Sequence, residues 1–595
     1  MIEARFDDLV PGHERAFRLV DPVGILEARR PAEVPGILDA AEAATSRGLW
    51  VAGFVAYEAA PGLDPELSTR VRPPDDAFAE MPLGWFALFE GREPVPLLEP
   101  PSGEPPRGPS TGPPSPWRPS VDRAAYDTAV EGIRELIAAG HTYQVNHTIR
   151  LRATVAGDER GFYRDLCLAQ RGGYGAYLDL GRYRVLSASP ELFFRIDDHR
   201  LTTRPMKGTA PRGRWLAEDE AVAAALVASS KDRAENAMIV DLLRNDLGRI
   251  CRPGSVKVER MWEPERYETL WQLTSTVVGE READVSLADT FRALFPSGSV
   301  TGAPKVRTTR IIADLEDSAR GPYCGAIGYL APRGSGEPSA NFNVAIRTVV
   351  LDGQTGIAEY GVGGGITYDS SAADEYEEIL AKARVLTAAR PSFALIETLA
   401  HGPGEGFRHL PEHLERMGAS ARYFGFRFEP EAAVAALKDA VADRPGACRV
   451  RLTLSRGGSH EAIVSDLPPA GPGPVRIALD DDPVDPMDPW LFHKTSRRAP
   501  YERRREARPD ADDVVLVNVR DEVTESTIAN VAARIDGAWV TPPIGSGLLP
   551  GTYRDVLIRD GTLRERRISI EEFRTADDLA LVSSVRGWRP AVLAS

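Results

Sequence analysis

The stretch GVGGGITYDSSAADEYEEILAK, residues 361–382, joins a glycine-rich run to a helical one. Its second half spaces Glu375 and Glu378 three residues apart and puts Lys382 four beyond Glu378, so the three share one helix face. Its first half lacks the last glycine of a dinucleotide fingerprint, and GSVTGAPK (298–305) lacks the ending of a P-loop. Neither supports nucleotide binding, but both can let backbone amides approach an anion. Working outward, KDRAENAMIVDL (231–242) holds a second carboxylate pair, Asp232 and Glu235, on one helix face. Oxygen ligands of this kind suit Mg²⁺; taken alone, they equally suit solvent-facing helices. In SASPEL (187–192), Glu191 ends a strand after a proline. In RPMKGT (204–209), Lys207 sits among apolar and small residues, with Pro205 and Gly208 expected to fix a turn on either side. An apolar setting depresses a lysine pKa, and a neutral amine is a nucleophile. A surface lysine in a turn is the plainer reading of that spacing.

The chain has 595 residues, enough for roughly two to four domains. A formal net charge of −15 argues against nucleic-acid binding, though not against an anionic substrate in a locally basic pocket. The beginning, MIEARFDDLV, lacks the pattern of a signal peptide, and no apolar run is long enough to span a bilayer. Four scattered cysteines without metal spacing suit a reducing, cytoplasmic setting. Residues 94–120, rich in Pro, Gly and Ser, read as a loop or linker. Between 126 and 388, helical stretches alternate with strand-like runs such as YRVLSAS (183–189), LFFRI (192–196) and FNVAIRTVVL (342–351). After a break at 388–391 the pattern restarts with a strand, a glycine-rich turn, a helix and a strand. The expected fold class is α+β in two modules, 1–388 and 392–595. The charged run 501–513 reads as a solvated helix and loop.

The ordered set YQVN (143–146), SPEL, RPMKGTAPRG, AENAMIVDLLRND, PSGSVTGAPK, YCGAIGY, AIRT and GVGGGITYDS…EYEEILAK resembles the chorismate-utilising enzymes. That resemblance implies a large two-sheet α/β sandwich over the first module. It implies Glu235 and Glu378 as Mg²⁺ ligands and Glu191 as general acid. Arg347, Tyr323, Gly363 and Gly365 would contact the enolpyruvyl carboxylate of chorismate. Gly208 and Thr209 would border the ring carboxylate, with Lys382 near the metal. Family members that add water carry a lysine base where this chain has Gln144, and a glutamine cannot deprotonate water. Anthranilate synthases carry alanine where this chain has Lys207. Lysine there is similar to aminodeoxychorismate synthase, in which it attacks the ring as a nucleophile. Anthranilate-type activity is the alternative for this half. Gln272 stands where many relatives have histidine and is given no catalytic role. No cysteine has the GxCxG setting of a glutaminase, so a separate glutamine amidotransferase subunit is expected to supply ammonia.

The second module, with LIETL (395–399), HLERMGASA (413–421), FHKT (492–495), VTESTIAN (523–530) and GLLPGTYR (547–554), resembles fold-type-IV pyridoxal-phosphate enzymes. The resemblance makes Lys494 the lysine that binds the cofactor covalently and later shuttles a proton. Arg416, the amides of Thr552 and Tyr553, and the Ser584 hydroxyl would hold the phosphate, and Glu525 the pyridine nitrogen. Aminodeoxychorismate lyase and class IV amino-acid transaminase are not separated by these motifs; the fusion favours the lyase. The usual segment preceding this fold is missing, so part of the site wall is expected from elsewhere. A homodimer through this module is compatible with the resemblance.

Overall fold

The computed structural model describes residues 2–100, 116–387, 392–467 and 473–594. Most of the expected linker and the expected break at 388–391 lie outside the described residues. The chain divides into two compact units. One is Met1–Pro211 with Ala223–Pro391, and the other is Arg212–Val222 with Ser392–Ser595.

In the first unit, antiparallel ladders form a continuous path of strands. Strand Gln144–Thr154 pairs with Ile357–Ile366, which pairs with Thr348–Asp352. The path continues through Tyr183–Ser189 and Tyr174–Asp179 to Glu3–Asp8. The long strand Arg15–Ala28 then pairs with both Glu3–Asp8 and Gly84–Pro94, its register shifting between Pro22 and Gly24. From there the path runs through Trp50–Val55 and Ala326–Leu330 to Ala340–Val344 and Leu192–Asp197. Phe6, Leu178 and Val185 meet Phe54, Phe89 and Tyr329 in a core made of strand and loop residues. This is the packing of two sheet faces, with alternate side chains turned inward. Helices Val34–Thr45 and Leu287–Leu294 share one flanking core, and Arg123–Ala138 and Glu159–Gln170 another. Helix Arg123–Ala138 starts where Asp122 accepts from the Ala125 amide, and it buries Tyr126, Val130 and Ile133 at helical spacing.

One expected strand is divided. Residues 342–351 form Ala340–Val344 and Thr348–Asp352, separated at Arg347, whose φ is 52°. The two pieces serve different neighbours: the first pairs with Ala326–Leu330, the second with Tyr183–Ser189. A left-handed residue with a side chain is costly and persists only where its surroundings fix it. The Arg347 Nη1 donates to the Lys382 carbonyl at 2.8 Å.

The second unit has a four-stranded antiparallel sheet built on Leu395–Gly402 and Cys448–Leu454. Helices Leu410–Phe424 and Pro430–Val441 share its apolar core. Gly425, at φ 72°, ends the first of these helices in the left-handed conformation that glycine adopts without strain. In an eight-stranded mixed sheet, Glu525 on the end strand Val523–Ser526 pairs with Asn530 on the interior strand Asn530–Ile535, which closes six of the strands into a ring. The segment Arg212–Val222 packs into this unit. Arg212 grips the Asp219 carboxylate and donates to the Tyr423 carbonyl, while the Tyr423 hydroxyl donates to the Gly213 carbonyl at 2.7 Å. The Trp215 ring lies 5.0 Å from that of Phe492.

Candidate active sites

A cavity of about 240 Å³ in the first unit is lined by every residue anticipated for that half: Glu191, Lys207, Gly208, Thr209, Glu235, Tyr323, Arg347, Gly363, Gly365, Glu378 and Lys382. Strand Met206–Pro211 brings in Lys207. The turn expected around it is instead a bulge: the register against Leu270–Glu280 shifts between Met206 and Thr209. Gly208 sits there at φ 92°, and a Cβ on it would fall 2.9 Å from the Asp232 Cβ. A bulge re-aims the side chain beside it, and here that side chain is the lysine. Burial pushes the Lys207 pKa down, against the pull of Glu235; Lys382 adds to the lowering.

Glu191 follows strand Tyr183–Ser189 and is buried. Burial raises its pKa to about 7, although the Ser299 hydroxyl and Lys207 favour the charged form. Gly365 marks a crowded point. A Cβ there would lie 2.7 Å from Lys207 Nζ and 2.1 Å from Gln144 Nε2. Both amide atoms of Gln144 are buried without a hydrogen-bond partner among the described residues. Gly363 faces the same close approach of strand Gln144–Thr154, 2.1 Å from the His147 carbonyl oxygen. Gly361 makes room for the Tyr323 ring.

Glu378 and Lys382 form an ion pair along helix Ala372–Ala383, and Lys382 Nζ donates to the Gly363 carbonyl at 2.8 Å. Lys382 holds the Glu378 pKa below the usual carboxylate range, whereas burial raises Glu235 and Glu375. Among the described residues, no group of three or more ligand side chains stands ready to hold a metal. The pair Glu235 and Glu378 fits Mg²⁺ all the same, since that ion keeps waters and takes one or two carboxylates. Sequence reasoning missed Ser299, although its glycine-rich segment was noted. Gln272 donates to the Thr209 hydroxyl at 3.2 Å, a positioning contact compatible with its lack of a catalytic assignment.

The second unit holds a cavity of about 480 Å³ whose lining includes Arg416, Lys494, Glu525, Thr552, Tyr553 and Ser584. The backbone at Lys494 is tied to strand Leu395–Gly402: the Ile396 amide donates to its carbonyl at 3.0 Å. Burial, and then Arg416, lower the Lys494 pKa to about 8. Arg416 is itself aimed by Glu397, through Nε at 2.9 Å and Nη2 at 2.7 Å, and by the Pro550 carbonyl. A guanidinium carries five N–H donors, so two remain for an anion. Glu397 also takes the His413 ring at 2.6 Å, and the other ring nitrogen lies 3.0 Å from the Ser584 hydroxyl. Glu397 and His413 thus order the phosphate candidates; neither was assigned from sequence, although both fall inside recognised motifs.

Thr552 and Tyr553 open helix Thr552–Arg559, so their amides point out of a helix N-terminus, the usual seat of a phosphate. A Cβ on the preceding Gly551 would lie 1.9 Å from Asn530 Oδ1, which keeps that turn tight. Burial raises the Glu525 pKa to about 8, and the Tyr501 hydroxyl donates to its Oε1 at 3.2 Å. Tyr501 lies in the run read as a solvated helix; one turn of helix Ala499–Ala507 faces the cavity instead. A half-buried lysine, a buried acid and a phosphate cradle together fit pyridoxal phosphate.

Residues 14–388 match the model of the chorismate binding enzyme family, and residues 394–593 that of amino-transferase class IV. Aminodeoxychorismate synthase of Streptomyces griseus is 43% identical over 356 residues, covering 58% of this chain and 46% of that protein. Anthranilate synthase component 1 of Aquifex aeolicus is 38% identical over 261 residues, covering 44% and 52%. The chain spans about half the length of these curated relatives. The crystal structure of anthranilate synthase component I from Streptococcus pneumoniae superposes with a TM-score of 0.52 at 26% identity, over 64% of this chain and 92% of that one. With a family model matching well over half its residues, the chain belongs to the chorismate-binding enzymes and carries a class IV aminotransferase domain behind that module.

Proposed function

We propose that this chain makes 4-aminobenzoate from chorismate, one step in each unit. In the first, the Lys207 amine attacks C2 of chorismate, both ring double bonds shift round the ring to C1–C6 and C4–C5, and the C4 hydroxyl leaves as water with a proton from Glu191. Ammonia then adds at C4 and expels Lys207, giving 4-amino-4-deoxychorismate. The observation that carries this reading is one cavity holding a half-buried lysine with a lowered pKa and a buried acid titrating near neutrality. A covalent route splits one hard substitution into two easier ones. Glu235 and Glu378 would hold Mg²⁺, which supplies charge for the ring carboxylate. Arg347 and Tyr323, with the amides at Gly363 and Gly365, would take the enolpyruvyl carboxylate. Gly208 and Thr209 would border the ring carboxylate, beside Lys382. Ammonia would come from a separate glutaminase subunit, and the buried, unpaired cysteines suit the cytoplasm.

In the second unit, pyridoxal phosphate supplies an electron sink when bound. Arg416, the amides of Thr552 and Tyr553, and Ser584 would hold its phosphate, and Glu525 its ring nitrogen. Lys494 would anchor it and then remove the proton from C4 of aminodeoxychorismate. Pyruvate departs as its enol, which takes up a proton, and 4-aminobenzoate remains. The purified chain, given chorismate, ammonia, Mg²⁺ and pyridoxal phosphate, should release 4-aminobenzoate and pyruvate in equal amounts. Anthranilate as the product would sink the assignment of Lys207. Amino-group exchange between glutamate and a keto acid, without pyruvate from aminodeoxychorismate, would sink that of the second unit.

A further inference from the structure

The cavity of the second unit is also lined by arginines outside the set assigned to the cofactor. Arg449 and Arg451 stand two apart on strand Cys448–Leu454, opposite Ala400 and Thr398, so both project from one face. Thr398 lines the cavity with them. Arg586 and Arg589 come from the turn and strand that follow Asp578–Ser583, more than 130 residues later in the chain. Among the described residues, none of these four arginines makes a salt bridge, and the one side-chain bond from the set is Arg449 Nε to the Ser465 hydroxyl at 3.0 Å. They crowd one another instead. Burial lowers the Arg586 pKa, and Arg589, Arg449 and Arg505 lower it further, with Asp513 opposing. The Asp512 carboxylate also feels Arg589.

Guanidinium groups do not deprotonate in proteins, so such a group pays a standing repulsion until an anion arrives. The cofactor phosphate has its own cradle in Arg416 and the helix start at Thr552. The planar fork of arginine fits a carboxylate through two parallel hydrogen bonds. We propose that Arg449, Arg451, Arg586 and Arg589 form a carboxylate-recognition rim that makes this unit selective for a dicarboxylate amine over amino acids with a single carboxylate. The proposal rests on the function given above and deepens it: it names the residues that read the substrate's two negative charges. It also gives a physical ground for elimination from aminodeoxychorismate over transamination of simple amino acids.

The test uses the full chain loaded with pyridoxal phosphate and the variants Arg586→Gln, Arg449→Gln and their double. Arg586 is exposed and Arg449 half-buried on the face of an interior strand, so folding should survive; unchanged cofactor absorbance and circular dichroism check this. Each single change should raise the KM for aminodeoxychorismate about tenfold with little loss of kcat, as for a lost charge-assisted bond. Arg586→Lys should recover part of the loss, and wild-type KM should rise with salt. Binding is read separately by cofactor fluorescence, with 3-(carboxymethoxy)benzoate as the dicarboxylate probe and benzoate as its single-charge control. The probe should bind the wild type at least tenfold more tightly than benzoate, and the double variant should erase that preference. Equal binding of both probes to the wild type, or variants with unaltered KM and unaltered probe binding, would overturn the rim. If the probe preference depended on these arginines while no pyruvate came from aminodeoxychorismate, the rim would stand and the proposed function of this unit would fall.

Discussion

The two cavities are each built around a half-buried lysine, yet the balance of charge around them differs: the first is richer in carboxylates, the second in arginines. Lys207 feels Glu235, Glu191 and Glu378 with Lys382 as the one cation of that set, whereas Lys494 feels Arg416 and Glu397, then Arg498 and Glu525. Burial is the largest cause that lowers both lysines, so desolvation does most to prepare the amine. The neighbours decide what else the cavity can hold. The acidic cavity suits a divalent cation that in turn holds an anionic ring; the basic one suits a phosphate and carboxylates directly. One residue type therefore serves as a nucleophile toward substrate in one unit and as a cofactor anchor in the other.

The largest effect that sharpens this contrast is the loss of either lysine. Lys207→Ala should abolish turnover of chorismate and leave conversion of supplied aminodeoxychorismate intact. Loss of both activities would show that the cavities are not independent. Next, Glu191→Gln should slow the first step about 100- to 10,000-fold, the range for losing a general acid. In the wild type, kcat/KM for chorismate at fixed free ammonia should fall above pH 7, because Glu191 must be protonated to act and titrates at about 7. The variant should lose that limb; an unchanged limb would move the acid elsewhere.

A third comparison separates catalysis from stability. Glu316 lies buried between Arg150 and Arg320, bonded to both at 2.6–3.0 Å, and is held at about 2 by them despite its burial. Glu316→Ala would strand two buried guanidinium groups and should destabilise the first unit by about 3–5 kcal/mol, read by chemical denaturation. An effect below about 1 kcal/mol would mean that water reaches the pair. The smallest effect expected is at Tyr501→Phe. Losing one hydrogen bond to Glu525 should cost about 0.5–1.5 kcal/mol, and so up to about tenfold in the second step.

Much of this was legible in the residues, for identifiable reasons. Motifs of consecutive residues carried Glu191, Lys207, Glu235 and Glu378, because the strand or helix that presents each one is local. The strand Tyr183–Ser189 was visible as a strand-like run in the sequence. The bulge at Lys207 was not, because register belongs to a partner strand some sixty residues on. Arg347 divides its strand because its two neighbours change identity, which no window of sequence contains. The docking of Arg212–Val222 in the second unit was equally hidden, although a missing piece of that unit's wall was anticipated. The arginine rim joins position 449, on the four-stranded sheet, to position 586, in a turn of the eight-stranded one, a proximity that no window of sequence contains.

The most direct test of the central claim is product identification from chorismate, ammonia and Mg²⁺ with Lys494→Ala beside the wild type. The account predicts that the variant accumulates 4-amino-4-deoxychorismate and loses cofactor absorbance, while the wild type yields 4-aminobenzoate and pyruvate. Anthranilate from either protein, or 4-aminobenzoate from the variant at the wild-type rate, would contradict it.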